Sequence, residues 1–169
     1  HNVIEQVPPE FAEGAVPNGK VAPYLDKLGV KAFQRVRSDQ YMVLFNMDDP
    51  LVGGYTPERV ALRRAIGLGL DVEREIRVVY HHQGVLAQSP IVPNTAAYDP
   101  AFKSAMSDYS PARANALLDL YGYTDRNGDG FREQPDGSPL QIVWNVEDNQ
   151  RGRQFSELWQ RDLTALGLK

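Results

Sequence analysis

Hydrophobic positions along this chain recur mainly at helical intervals. Thr56 and Pro57 read as a cap and a first helical turn. Val60, Ala61, Leu62, Ala65, Ile66 and Leu70 follow on one face, which the spacing predicts to be buried. Asp71 is placed to cap a second helix, with Val72, Ile76, Val79 and Tyr80 inward, Glu73 and Arg77 paired outside, and Gly84 as its stop. Ser110 and Pro111 open a third, with Ala114, Leu117, Leu118 and Tyr121 on one side and Gly122 just past its end. A last helix is predicted from about Arg151 to Leu166, with Phe155, Leu158, Trp159, Leu163 and Leu166 inward and Gly167 closing it. Near Pro23 a brief helix is expected, because Tyr24, Leu25 and Leu28 form an apolar side and Gly29 suits the left-handed end position.

Elsewhere the period changes to two. Leu140, Ile142, Trp144 and Val146 alternate with Gln141, Val143, Asn145 and Glu147, the pattern of a strand with one buried face. Val30–Val36 and Tyr41–Met47 read as successive strands, the second apolar on both faces and so expected to be buried; Val3–Val7 reads as a short one. Pro8, Pro9, Pro17 and Pro23 make the entry loop-rich, and Pro90, Pro93 and Pro100 leave Gly84–Pro100 as extended chain laid over the surface. There is no internal repeat. Strands mixed with helices predict an α/β or α+β domain, of which α/β, a mixed sheet flanked by helices, is the expected class, formed by residues 1–169 as one unit.

Composition removes several classes of function. The chain has 169 residues, 42% of them hydrophobic and 24% charged, within the range of an ordinary globular domain. A chain of this size buries roughly 70% of its unfolded surface and needs neither disulfide nor metal to fold. It has no cysteine, which removes thiol nucleophiles, thiolate zinc sites and disulfides. With 18 basic against 22 acidic residues and no basic run, it lacks the positive footprint that wrapping a nucleic acid requires. The longest apolar run is Tyr41–Phe45, far short of the roughly 18 residues that cross a bilayer. The chain opens on His1 with no basic-then-apolar leader, so an export signal is expected upstream.

Signals for catalysis are missing: there is no G-x-S-x-G, H-E-x-x-H or Walker sequence. His81 and His82 fall at the end of a predicted helix, where capping by the imidazoles competes with catalysis or metal ligation. Gly67 and Gly69 sit inside a helical pattern without the third glycine of a dinucleotide turn. The sharpest local motif runs from Asp125 to Asp136. Asp125, Asn127, Asp129, Glu133 and Asp136 stand at loop positions 1, 3, 5, 9 and 12, Gly130 at the turn position, and the carbonyl of Phe131 at the backbone-ligand position of a calcium loop. Asp136 is shorter than the bidentate Glu of such loops, and a strand pattern follows instead of a helix. A structural calcium ion and an Asn/Asp/Gly turn joining helix to strand both fit.

Several segments, in order, resemble the family 5 extracellular solute-binding proteins, the peptide, nickel and related receptors of ABC importers. These are YMVLFN from Tyr41, RVALRRAIGLGLD from Arg59, YDP from Tyr98, YSPARANALLDLYGY from Tyr109, the Asp/Gly loop followed by PDGSPLQIVW, and RQFSELWQRDLTALGL. The chain departs where relatives commonly read Asp-x-x-Val-Arg-x-Ala, having Arg59-Val-Ala-Leu-Arg63-Arg-Ala65, and in the lengthened loop at Val52-Gly53-Gly54. The resemblance implies one lobe of a type II periplasmic-binding-protein-like fold, part of the C-terminal lobe of a two-lobed receptor. It also implies a periplasmic or surface-attached binding component that captures peptides or similar small solutes and delivers them to permease subunits. No catalysis of its own and no required cofactor go with that role. Relatives place ligand-facing groups in two regions that correspond here to Tyr41 with Asn46, and to Glu147, Asp148, Asn149 and Arg151, with Arg151 suited to a carboxylate. Without the resemblance, the same residues read as a solvated loop and a turn tied down by Asn46, while Trp144 and Trp159 read as packing. The rival function is a calcium-stabilised extracellular binding or adhesion module.

Overall fold

A computed structural model describes residues 3–4, 7–105 and 107–169 of the chain. Glu5 and Gln6 of the Val3–Val7 strand expectation lie outside the described residues. Three helices build the core. α3 (Pro57–Gly69) starts as its sequence predicts, with Pro57 in the first turn and the Thr56 hydroxyl accepting from the Arg59 amide. Its Ala61, Leu62, Ala65, Ile66 and Leu68 are all buried. It packs chiefly on α5 (Pro111–Leu120), whose Ala114 and Leu118 are buried, and also on α6 (Gln150–Ala165). The Ser110 amide, just ahead of α5, donates to the Leu68 carbonyl at 2.8 Å and fixes the two helices end to end.

Leu62, Leu68, Leu118, Leu166 and Leu168 are the fully buried large side chains, and Tyr123, Leu140 and Leu163 complete the core around them. Gly69 is required here: a Cβ at this position would run into Leu166 Cδ1. After α6, Gly167 takes a left-handed φ of 71° and turns the chain back, so that Leu168 re-enters the core and the Gly167 carbonyl accepts from the Arg132 amide.

Smaller elements surround this centre. α4 (Val72–Val78) is capped by Asp71, whose carboxylate accepts from the Arg74 amide at 2.9 Å. α1 (Pro9–Ala15), a 3₁₀ turn (Pro17–Gly19) and α2 (Pro23–Asp26) occupy the entry segment. Each of these begins on a proline, a residue read as a breaker that is equally suited to a first helical turn.

The expected α/β class is overturned. Among the described residues no β-ladder forms, only two isolated antiparallel bridges, Thr124 with Glu133 and Glu133 with Pro139. The core is helical, and the sheet-centred lobe implied by the resemblance is absent from it. The physical reason is that alternation specifies which side chains are buried, whereas a ladder also needs a second backbone alongside. Leu140 is buried, Ile142 and Trp144 pack against the core, and Val143 is 81% exposed, so the predicted alternation holds from Leu140 to Trp144, but Val146, expected on the same inner face, is exposed. Among the described residues the backbone of this segment finds one bond of this kind, the Ile142 amide to the Lys169 carbonyl at 2.7 Å.

The segment Tyr41–Met47, expected to be buried on both faces, is largely exposed, with Leu44 80% accessible; Phe33 and Val36 are exposed as well. Only Phe45 of Tyr41–Met47 packs against the core. The second helix ends at Val78 and not at Gly84, and Glu73 and Arg77 form no ion pair among the described residues.

Candidate functional site

The site is assembled where the turn after α4 meets the first turn of α6 and the segment at Tyr41. α4 is held to α6 by charge and by an indole. Arg74 pairs with Asp162 and, at 3.5 Å, with Asp71, while the Asp71 amide donates to Asp162 Oδ2. One helical turn on, the Trp159 indole N–H donates to Glu75 Oε1 at 2.6 Å. Glu75 is buried, and the loss of water around it raises its pKa above the usual 4.5, against the indole hydrogen bond and Arg74, which favour the charged form.

Beyond α4, Val79 is buried and Tyr80 is half-buried. Here His81 and His82 both adopt left-handed φ values, 48° and 63°, and the Gln83 amide closes the turn on the Tyr80 carbonyl at 2.8 Å. The two histidines therefore form the tight turn itself, and the His82 amide donates to the Ile76 carbonyl at 2.9 Å.

This turn delivers the Tyr80 ring into a row of aromatic rings. Tyr41 and Phe155 flank it, each with its centroid 5.8 Å away, and Phe155 is followed by Trp159 at a further 5.8 Å. The guanidinium carbon of Arg151 lies 5.2 Å from the centroid of the Tyr80 ring. Burial pushes the Tyr80 phenol up to about 12, with Arg151 opposing and Tyr41, Glu75 and Glu147 adding to the rise, so the phenol is neutral at physiological pH. Two polar atoms at this contact are buried and, among the described residues, without hydrogen-bond partners: the Tyr80 hydroxyl and Arg151 Nε. Among the described residues no carboxylate pairs with Arg151.

The other expected ligand-facing residues are spread around this contact. Asn149 caps α6, its Oδ1 accepting from the Gly152 amide at 2.8 Å, and its Nδ2 donates to Glu147 Oε2. Asp148 is fully exposed and pairs loosely with Arg153 at 3.6 Å. Asn46 Oδ1 accepts from the Asp48 amide at 3.1 Å, a turn-closing role. The structure thus brings Tyr41 and Arg151 together through Tyr80. It leaves Asn46 in its own turn, and Glu147 and Asn149 as the frame of the loop. Trp144 and Trp159 pack against the core, each with its indole N–H satisfied, by Ser156 and Glu75 respectively. By its spacing Tyr80 is an inward position of the second helix, and nothing local in the sequence distinguishes a ring that packs inward from one that carries a guanidinium.

The Asp125–Asp136 loop lies elsewhere, between α5 and residues 140–147. One oxygen each from Asp125, Asp129 and Glu133 come within 4.8 Å of one another. The loop is also closed by its own hydrogen bonds. Asp125 accepts from the Gly128 and Gly130 amides, Asn127 Oδ1 from Asp129, Asp129 Oδ1 from Phe131, and Glu133 from the Arg126 amide and Asn127 Nδ2. Asp136 stands apart in the next turn. There it accepts from the Ser138 hydroxyl and amide, which hold its pKa below the ordinary carboxylate value. The ring of Phe131 lies under Lys169 Nζ at 5.7 Å.

The family described as bacterial extracellular solute-binding proteins, family 5 middle, matches residues 10–169. No curated protein sequence matches the chain. Among solved structures, the periplasmic oligopeptide-binding protein of an oligopeptide ABC transporter from Thermotoga maritima is similar over 98% of this chain and 34% of its own, with 22% identity and a TM-score of 0.63. The oligopeptide-binding protein AppA from Bacillus subtilis, in complex with a nonapeptide, is 24% identical over 64% of this chain and 22% of its own, TM-score 0.60. NikA from Brucella suis, in complex with Fe(III)-EDTA, is 27% identical over 65% of this chain and 22% of its own, TM-score 0.56. The chain therefore spans about a fifth to a third of the length of these proteins. With the family pattern extending from residue 10 to the final lysine, the chain belongs to the family 5 bacterial extracellular solute-binding proteins.

Proposed function

We propose that this chain is part of the substrate-binding component of an ABC importer, which captures a peptide outside the cytoplasmic membrane and hands it to the permease. Family membership supports the receptor role, and the oligopeptide-binding proteins among its structural relatives support a peptide as the solute. The observation that carries the peptide reading is Arg151. It is half-buried beside an aromatic row, and among the described residues its buried Nε has no acceptor and no carboxylate pairs with it. A guanidinium offers two parallel N–H donors that match a carboxylate, and in a partly dehydrated setting that pairing is stronger than at an open surface. Arg151 receives a ligand carboxylate, Tyr41 lines the same place, and Glu147, Asp148 and Asn149 form the loop that presents it. Asn46 holds the turn that follows Tyr41.

The protein acts by binding alone, with residues 1–169 as one unit of a larger receptor that encloses its solute. No step of this function requires a cofactor. The test is ligand identification on the full-length protein: mass spectrometry of material co-purified with it should yield short peptides. Titration calorimetry should then show that Arg151→Gln weakens a peptide with a free C-terminus much more than the same peptide amidated. Co-purification of a metal chelate or a sugar, with no peptide binding, would replace this reading.

A further inference from the structure

We infer that Tyr80 is a positioning residue for Arg151, holding the guanidinium by its ring face so that the outer Nη donors stay free for the ligand. The inference rests on the peptide reading for what Arg151 meets, but its geometry stands independently of that reading. Arginine is usually steadied by a carboxylate, and a carboxylate occupies the very edge of the guanidinium that would otherwise grip an anion. An aromatic ring steadies it from the face, leaving that edge unspent. In this chain the carboxylate is missing and the ring is present: Arg151 has no acidic partner among the described residues, and its guanidinium carbon lies 5.2 Å from the Tyr80 centroid.

Two further features restrain the Tyr80 ring. It is flanked by Tyr41 on one side and Phe155 on the other, rings contributed by a distant segment and by α6. Its backbone is followed at once by His81 and His82, two consecutive non-glycine residues in left-handed conformation, closed by the Gln83 to Tyr80 hydrogen bond. Such turns are normally made by Asn and Gly, and a side chain at both positions is unfavourable unless the surroundings hold it there. The strain is local to the turn that aims Tyr80.

The inference assigns the work to the ring and not to the hydroxyl, which is buried and unpartnered. It therefore separates two substitutions. Tyr80→Phe keeps the ring and should bind trialanine within about twofold of the wild-type full-length protein. Tyr80→Leu removes the face under the guanidinium and should weaken trialanine about tenfold while leaving its C-terminal amide unchanged. In an Arg151→Gln background, Tyr80→Leu should have no further effect, because what it positions is gone. A second measurement needs no ligand: the Arg151 Nε–H resonance, shifted by the ring below it, should persist in Tyr80→Phe and collapse to the averaged position of free arginine side chains in Tyr80→Leu. Equal losses for acid and amide, or equal damage from Phe and Leu, would overturn the inference. So would an Arg151 resonance indifferent to the ring. If wild-type protein fails to bind trialanine at all, the peptide reading falls for that probe, and the resonance still decides the role of Tyr80.

Discussion

Glu75 is a carboxyl group in a setting that suits it better neutral than charged. It is buried at the α4–α6 contact, faces Asp71 and Asp162 as well as Arg74, and accepts from the Trp159 indole at 2.6 Å. Arg74 is already committed to Asp162 and Asp71, so it offsets only part of the cost. Because the folded pKa is raised, the folded state holds its proton at pH values where the unfolded chain has released it. Stability from this group is therefore full below about 4.5 and declines as pH rises through the raised folded value. Glu75→Gln keeps an acceptor for the indole and has no charge to bury. Its melting temperature relative to wild type should increase steadily from pH 4.5 upward and level off once Glu75 is ionised. Thermal melts of both proteins across that range, with the difference taken at each pH, isolate this group from all others; a difference flat in pH would mean that Glu75 is solvated in solution.

At the scale of elements, the tightest approach of α3 to the segment that ends α6 is at Gly69, which faces Leu166. Ala is the better helix former, by about 1 kcal/mol over Gly, yet its methyl group has no room beside a fully buried leucine. Gly69→Ala should therefore destabilise by about 1–2 kcal/mol, and the penalty should shrink in a Leu166→Val background, which denaturant titrations of the four proteins would read as a double-mutant cycle. The helices themselves are legible from sequence because their signals are local: Thr56, Asp71 and Pro111 mark the starts, and apolar residues at helical intervals mark the inner faces. The meeting of Gly69 with Leu166 is not, since the two stand far apart in sequence and nothing near either announces the other. Strand pattern at Leu140–Glu147 marks the inward side chains as far as Trp144 but misplaces Val146, which is exposed, and cannot reveal the absence of a ladder, which depends on a second backbone. The site divides in the same way. Arg151 and Tyr41 come forward only through the resemblance to the family, since by residue type alone they read as part of a solvated loop and of a strand, and the Tyr80 ring joining them depends on three segments converging. The Asp125–Asp136 loop is a further local signal, and its hydrogen bonds account for its shape. Each acidic side chain of its first turns accepts from an amide of the loop itself, so removing cations should leave it folded. The melting temperature should agree to within about 1 °C between millimolar calcium and EDTA; a rise of several degrees with calcium would instead show the three converging carboxylates gripping an ion.

For the whole molecule, the distribution of apolar surface is uneven. The α3–α5–α6 core is closed, yet Leu28, Phe33, Tyr41 and Leu44 are between 65% and 88% exposed, all within one part of the chain. Scattered exposed leucines are normal on a soluble domain, but several large ones close together in sequence mark surface that usually meets something. In the receptor reading, the remainder of the protein covers this surface, which fits a chain spanning a fifth to a third of the length of its structural relatives. The consequence is testable by one substitution in two contexts. In the 169-residue chain alone, Leu44→Lys replaces an exposed side chain and should change stability by no more than about 0.5 kcal/mol, while reducing binding of a hydrophobic dye. In the full-length protein the same lysine would be pressed against apolar surface or left without a partner, and should cost about 2 kcal/mol or more. Matching small effects in both would mean that Leu44 faces solvent in the complete receptor too, and the role of residues 28–47 as a contact surface would have to be abandoned.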